Sequence, residues 1–479
     1  MTWRKWVLLS GLVIGLGTVA SCSEDKGASA GDPGISSSED ATETPSETGQ
    51  TESALTYYRD VAPILETMCV RCHSEGGIRE QVPFTSYDEV APYAALIKEM
   101  ITNREMPPWL ATTGCTEYAY DESLTETEIA TVSEWVDRGV LEGSADVEPV
   151  TTEPRLFATL TRTDVTIEMP VDYVMKKSPD DYRCFLVDWP ETEDTNITGF
   201  GAIPGNPAVV HHVIAYLVPP EGVATFEAYD EADEGPGYTC FGGPNGVGSD
   251  AGGTSGFGES FRFLGGWAPG GVGSDFPPGT GMPVEAGSKI ALQVHYNTLV
   301  EEPQPDRTKV VFKVDKEVEH TAFVLPWTNY AWLGGTGMEI PAGEADVVHS
   351  HSADLMQILS FILGDNDVDR IRIYSAALHM HVLGTSGSVY IDRPDGTREC
   401  LLDIPNYDFG WQRTYGFMEP KEVVAGDRVG LECHWDNTQE NQTWVGGEQL
   451  PPVDQHWGEG TNDEMCIAFF YIVPLSEEE

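Results

Sequence analysis

Three groups of residues in this 479-residue sequence have the types and spacing to do metal or cofactor chemistry. The first is Cys69-Val70-Arg71-Cys72-His73. Two thiols three apart can reach the two vinyl groups of one porphyrin, and the adjacent imidazole can ligate its iron. The five residues therefore read as an attachment site for a covalent haem c. A zinc site also uses Cys-x-x-Cys but needs a second ligand pair nearby, which this segment lacks. A thioredoxin-like redox pair would need a βαβ context, which is also absent. The sixth iron ligand is expected from Met106, in Glu105-Met106-Pro107-Pro108-Trp109, where the prolines fix the thioether after a helix. A Met/His pair raises the reduction potential. Met100 is the rival, but its periodicity suits a helix core, and methionine is usually a gap filler.

The other two groups are drawn from the eleven histidines. His211-His212 is an adjacent pair in the apolar run from Pro207 to Ile214. Neighbours on a strand point to opposite faces, so both can bind one metal only where the strand is twisted or bulged. His295 lies in the alternating run from Leu292 to Asn297. His379-Met380-His381, read as a strand, puts two imidazoles on one face, a ready half of a copper or zinc site. Met465 stands just before the last apolar run, and a thioether favours copper over zinc. A second His-x-His, His349 and His351, sits in the more polar stretch from Val348 to Asp354 and competes for the same role. Spacing alone does not choose between them. A single strand histidine is usually a hydrogen-bonded packing residue, but five in such clusters are harder to read that way.

The elements that must position these groups follow from periodicity. Tyr57 to Met68 and Tyr87 to Thr102 carry apolar residues at three- and four-residue spacing, as helices do. A third helix is expected to open at Thr125, with Glu128 completing a capping box, and to stop near Gly139. From about 152 the pattern becomes strand-like, with runs at Val209–Val218, Lys289–Tyr296, Lys309–Val314, Ile371–Leu378, Ser388–Ile391 and Cys466–Val473. The 50 glycines and 32 prolines supply turns between short strands. Gly242 to Gly258 is glycine-rich without phosphate-loop spacing, so it is expected to be a surface loop.

Arg4 and Lys5, the apolar run from Trp6 to Val19, and Val19-Ala20-Ser21-Cys22 form an export signal ending in a bacterial lipobox, with Cys22 the lipidated residue. Ser23 in place of an aspartate favours the outer membrane, so the expected protein is an exported lipoprotein held by its lipid alone. Residues 23–53 are an acidic, disordered tether. The net charge of −51, from 27 Lys+Arg against 78 Asp+Glu, excludes nucleic acid as a partner and disfavours anionic substrates. Of nine cysteines, Cys22, Cys69 and Cys72 are assigned, and an even remainder of six suits disulfides in an oxidising compartment.

The helical segment resembles a small class I cytochrome c domain. The β part resembles the copper type II, ascorbate-dependent monooxygenases, the group containing dopamine β-monooxygenase and peptidylglycine α-hydroxylating monooxygenase. The residues that carry this are His211-His212 in VVHHVIAYLV, His295 in LQVHYNT, His379 and His381 in LHMHVLG, YDFGWQ at Tyr407 to Gln412, and Met465 in DEMC. The resemblance implies two facing antiparallel, jelly-roll-like sandwiches. It implies an electron-transfer copper on His211, His212 and His295, and a catalytic copper on His379, His381 and Met465. It further implies disulfides Cys433–Cys466 and Cys184–Cys240, leaving Cys115 and Cys400 to pair with each other or stay free. The amidating branch has an arginine two residues before its His-x-His, and Asn and Tyr after its methionine. Here those positions are Ala377, Ile467 and Phe469. The clamp for a peptide carboxylate is missing, so a small neutral or amine-bearing substrate is expected.

The expected organisation is multidomain: a signal at 1–22, a linker at 23–53, an all-α cytochrome c-like domain at 54–145, and two all-β sandwiches at 152–315 and 316–476. The expected function is oxygen-dependent C–H hydroxylation with dioxygen and two copper ions. Electrons from an ascorbate-like donor or a redox protein would enter at the haem and reach the first copper, then the second. The alternative is a membrane-tethered haem and copper electron-transfer or copper-binding protein without hydroxylase activity.

Overall fold

Apolar residues at helical spacing and a capping box place the elements of the N-terminal part. In the computed structural model, residues 54–476 are described except 153, 178–179, 241–242, 247–256, 259–260, 269–270, 272, 298–302, 364–367, 446–447 and 459. The expected signal, Cys22 and tether, and most of the glycine-rich loop, lie outside the described residues. The first helix begins as a π turn at Tyr57–Val61 and continues as Ala62–Met68. The second runs as Tyr87–Val90 and Ala94–Thr102 around a 3₁₀ turn at Ala91–Tyr93, where Pro92 offers no N–H to the helical ladder. The third, Glu126–Asp137, starts at Thr125 with both capping-box bonds formed, Glu128 N to Thr125 Oγ1 at 3.2 Å and Thr125 N to Glu128 Oε2 at 2.7 Å. Val61, Leu65, Ile97, Ile101, Val132 and Trp135 fill the core between them.

One stretch departs from the expected helical unit at 54–145. Trp109, Ala111 and Tyr118 are buried in the core of the C-terminal β domain. Thr112 and Ala119 donate their backbone N–H to Asp403 and Gly416, and Cys115 is bonded to Cys400. The chain therefore leaves the helices after Met106, docks on the C-terminal sandwich, and returns for the third helix. The reason is composition: the large side chains of Trp109 and Tyr118 find their burial on the C-terminal sandwich, with Ala111 between them.

The β region forms two pairs of facing sheets. In the first pair, one sheet runs in the order Val165–Glu168, Lys309–Asp315, Thr195–Ile203, Thr280–Val284, His320–Thr321. Its partner runs Tyr238–Thr239, Asp180–Asp188, Lys289–Asn297, Val210–Val218, Phe261–Trp267, Phe257–Gly258. The second pair comprises Phe323–Trp327, Ile467–Leu475, Arg370–His379, Tyr415–Val424 against Val347–Ala353, Arg428–Trp435, Gly384–Asp392, Arg398–Ile404. The first sandwich reaches past the expected boundary at 315, because His320–Thr321 still pairs with Thr280–Val284 and Ala322 lies in its core. Among the described residues, two α-helices interrupt the expected all-β region. Val223–Ala232 buries Phe226 beside the Cys184–Cys240 disulfide, and Leu355–Leu363 buries Leu355 and Leu359, four apart on one face.

The last strand locks the sandwiches together. Ala468, Phe470 and Ile472 enter the C-terminal core, while Tyr471, Val473 and Leu475 enter the core of the first sandwich. This is the two-residue period of a strand used on both faces. The Tyr471 hydroxyl lies 2.8 Å from Thr280 Oγ1, and Phe469 stacks on Phe263 at 5.3 Å. No helix among the described residues is long and apolar enough to cross a membrane.

Candidate metal centres

The first histidine group is assembled by strand register and one irregularity. Lys289–Asn297 lies between Asp180–Asp188 and Val210–Val218, and His295 stands opposite His212. The register then slips, with Tyr296 opposite Val210, so His211 is an extra residue in its strand. This bulge re-aims a side chain that a regular pleat would send to the other face. The ligating atoms of His211, His212 and His295 accordingly lie within 4.8 Å of one another.

The group is poised as a set of neutral imidazoles. Burial, followed by the neighbouring histidines, pushes His212 and His295 well below the ordinary histidine range, and burial takes His211 down to about 4. Neutral imidazole is the form that binds a metal. The Nδ1 atoms of His212 and His295 are 3.3 Å apart, and His211 Nδ1 is buried with no hydrogen-bond partner among the described residues. A buried ring nitrogen left without a partner beside two others is the arrangement a shared cation would satisfy.

Asp180, which nothing in the sequence singled out, orients His295. Its Oδ1 accepts from His295 Nε2 at 2.8 Å, Asn297 Nδ2 at 2.9 Å and Thr461 Oγ1 at 3.0 Å. The last of these reaches across to the C-terminal domain. A carboxylate on the far nitrogen of a ligating histidine fixes its tautomer and ring angle, and leaves His295 Nδ1 for the metal. Asp180→Ala is expected to weaken copper binding at this group by about 10–100-fold. A competitive chelator titration reads this out, and unchanged affinity would remove Asp180 from the site.

The second group differs from its expectation in one respect. The strand ends at His379, so His381 lies beyond it and the same-face argument does not apply. The two rings are nonetheless 5.0 Å apart between centroids. His379 Nδ1 meets Gln412 Oε1 at 2.5 Å, and His381 Nδ1 meets the Asp463 carbonyl at 3.1 Å. Each ring thus keeps Nε2 for a metal. Burial lowers the pKa of both.

Glu464 ties this group together. It is fully buried and accepts from His381 N at 3.0 Å, Leu383 N at 2.7 Å and Trp435 Nε1 at 2.8 Å. It thereby fixes the turn carrying His381 to the segment carrying Met465, which is itself clamped by the Cys433–Cys466 disulfide. Burial pushes Glu464 up to about 8. Glu464→Ala would leave three buried donors unpaired, at about 1–3 kcal/mol each if unrelieved. A urea-unfolding loss of roughly 3 kcal/mol is therefore expected, and a loss below the error of that measurement would sink this role.

The rival His349 and His351 stand on the edge strand Val347–Ala353, where His349 Nε2 bonds the Glu339 carbonyl at 2.9 Å and both rings lie beside Trp332. Among the described residues neither they nor His379 and His381 join a cluster of three His, Cys, Asp or Glu ligands, so clustering does not separate the two pairs. The two groups named first instead face each other: Phe409 stacks on His211 at 5.0 Å and lies 5.9 Å from His381. Gln412 and Phe409 sit in the YDFGWQ run and Glu464 adjoins Met465, so their positions were visible in the sequence although their roles were not.

In the haem-motif segment, Cys69 and Cys72 take part in no disulfide and lie half-buried at the end of the first helix. His73 Nδ1 lies 2.8 Å from the Val82 carbonyl and its ring stacks on Phe84 at 4.3 Å. The carbonyl fixes the proton on Nδ1 and leaves Nε2 as a ligand. Met106 is half-buried, and Met100 is buried on the second helix. The remaining described cysteines form Cys184–Cys240 and Cys115–Cys400.

Residues 338–478 match the family described as copper type II ascorbate-dependent monooxygenase, C-terminal domain. The chain is 25% identical over 221 residues to DBH-like monooxygenase protein 1 of Gallus gallus, covering 43% of this chain and 32% of that protein. It is 22% identical over 281 residues to DBH-like monooxygenase protein 2 of Mus musculus, covering 56% and 39%. It is 25% identical over 109 residues to dopamine beta-hydroxylase of Canis lupus familiaris, covering 23% and 16%. The chain thus spans well under half the length of these relatives. These findings make residues 338–478 similar to the C-terminal domain of the copper type II monooxygenases.

Proposed function

We propose that this chain hydroxylates a C–H bond of a small substrate with dioxygen, using two copper ions and electrons delivered through a c-type haem. The observation that carries this is the convergence of two histidine groups, one from each sandwich, on the single ring of Phe409. His211, His212 and His295 would hold the electron-transfer copper. His379, His381 and Met465 would hold the catalytic one, with the thioether as the soft ligand suited to Cu(I). Copper bound there would supply the redox chemistry that activates dioxygen. Cys69 and Cys72 would bind the haem vinyl groups, with His73 and Met106 as axial ligands. Cys22 would anchor the exported protein by lipid alone, facing the periplasm or the cell surface.

The substrate class follows from the wall of the second group. Ala377 and Phe469 are cross-strand partners, and Phe469 stacks on Phe263 of the first sandwich. Neither can pair with a carboxylate, and the net charge of −51 repels anions. An apolar, neutral or amine-bearing molecule is the fit, with an ascorbate-like donor or small redox protein as reductant. Metal analysis of the secreted protein should give two coppers and one iron per chain; zinc alone would overturn the oxygenase reading. Anaerobic reduction should reduce the haem and then bleach the Cu(II) EPR signal. Copper that stays oxidised beside a reduced haem would exclude transfer within the chain.

A further inference from the structure

A chain of polar side chains, half-buried except for the buried Glu122, joins the Cys-x-x-Cys-His segment to the second histidine group. Arg71 stands between the two cysteines, so its backbone cannot move without them. Its Nη1 lies 3.1 Å from Glu122 Oε1, an ion pair whose angle is not that of a hydrogen bond. The same carboxylate accepts both prongs of Arg413, Nη2 to Oε1 at 2.7 Å and Nη1 to Oε2 at 2.9 Å. Arg413 is bonded in sequence to Gln412, whose Oε1 meets His379 Nδ1 at 2.5 Å. Glu122 is only 6% exposed. Burial would raise its pKa, but the Arg413 and Arg71 guanidiniums hold it below the usual carboxylate range. Arg413 also lies over the Trp109 ring at 5.2 Å, in the stretch that crosses from the helices to the C-terminal sandwich.

A forked guanidinium on a buried carboxylate is directional as well as strong, so it sets where the next residue's side chain points. A partner of a ligating histidine controls metal affinity through that orientation. We infer that Glu122, acting through Arg413 and Gln412, is a positioning residue for His379, so that the haem-motif segment completes the second copper group. This rests on reading these residues as haem and copper sites. The link reaches the second group without passing through the first, whereas the sequence alone suggested that the haem addresses the first group. It is a contiguous physical network of the kind that couples two sites when both ends are held.

The test uses the secreted full chain in a His212→Ala background, which leaves one copper group to observe. In Glu122→Gln, copper affinity at that group should fall about tenfold, and its Cu(II) EPR hyperfine pattern should change. The haem absorption spectrum and the melting temperature should stay those of the background. Gln412→Leu should reproduce the copper change while leaving the Arg413–Glu122 pair in place. Where Glu122→Gln is not recovered folded, Arg413→Lys keeps the charge, removes the fork, and should give the same signature. Unchanged affinity and EPR pattern in the folded variants overturn the inference. So does a copper change that comes with an equal disturbance of haem and melting, which would mark general packing. Absence of copper or haem in the unmutated protein overturns the reading of the sites themselves, a result separable from loss of the link alone.

Discussion

If Met465 holds the proposed catalytic copper, Met465→Ala should lower oxygen-dependent substrate turnover by about 10–100-fold or more, with the spectrum of the proposed haem and copper at His211, His212 and His295 retained. In the proposed assignment the thioether is the one soft ligand of the two groups, and soft sulfur would favour reduced copper. Replacing it by a methyl leaves two imidazoles and no substitute donor from the same position. The backbone there stays fixed by Glu464 and the Cys433–Cys466 disulfide, so the loss is one of ligation and not of fold. Oxygen uptake coupled to product formation, measured beside the haem spectrum, reads the two separately. A protein that only carries electrons would have no such turnover to lose, and full activity in the variant would take Met465 out of the centre.

The largest effect on stability is expected from the Cys115–Cys400 disulfide. It joins residues 285 apart and closes most of the chain into one loop. Loop-closure entropy in the unfolded state puts its contribution on the order of 4–5 kcal/mol. The double variant Cys115→Ser, Cys400→Ser should lose about that much in denaturant unfolding. It should also loosen the stretch that carries Trp109, Ala111 and Tyr118 onto the C-terminal core. Hydrogen exchange at the amides of Thr112 and Ala119, which bond to Asp403 and Gly416, should rise before exchange elsewhere in the sandwich. An unfolding midpoint equal to that of the unmutated protein would show that noncovalent packing alone holds this crossing.

Much of this protein was readable from its residues because the signals are local. Thr125 and Glu128 specify a helix start within one turn, and the capping box forms. The strand runs around His211, His295 and His379 have the two-residue alternation or continuous apolar character of half-buried and buried strands. The helix start and the strand runs depend on neighbours within a few residues, and the sequence states them directly. The sorting of the histidines and Met465 into two metal groups came instead from the resemblance to the copper monooxygenases, since spacing alone left His349 and His351 open.

Long-range register decided the rest. Whether His211 and His212 could share a metal turned on a one-residue slip against Tyr296, and no local pattern announces where a bulge will fall. Asp180 became the partner of His295 only because its strand pairs with Lys289–Asn297 and Thr461 arrives from the other domain. His381 lies beyond the strand end, so hydrogen bonds to Glu464 and the Asp463 carbonyl hold it in place of the pleat. Trp109 to Tyr118 read as part of a helical unit, yet their large apolar side chains find burial on a sandwich almost three hundred residues later in the chain. The sequence by itself determined which side chains could ligate metals and which segments were helix or strand, since both follow from residue type and short-range spacing. Only the tertiary structure decided which of those side chains meet, because that depends on pairings between strands that the chain brings together from far apart.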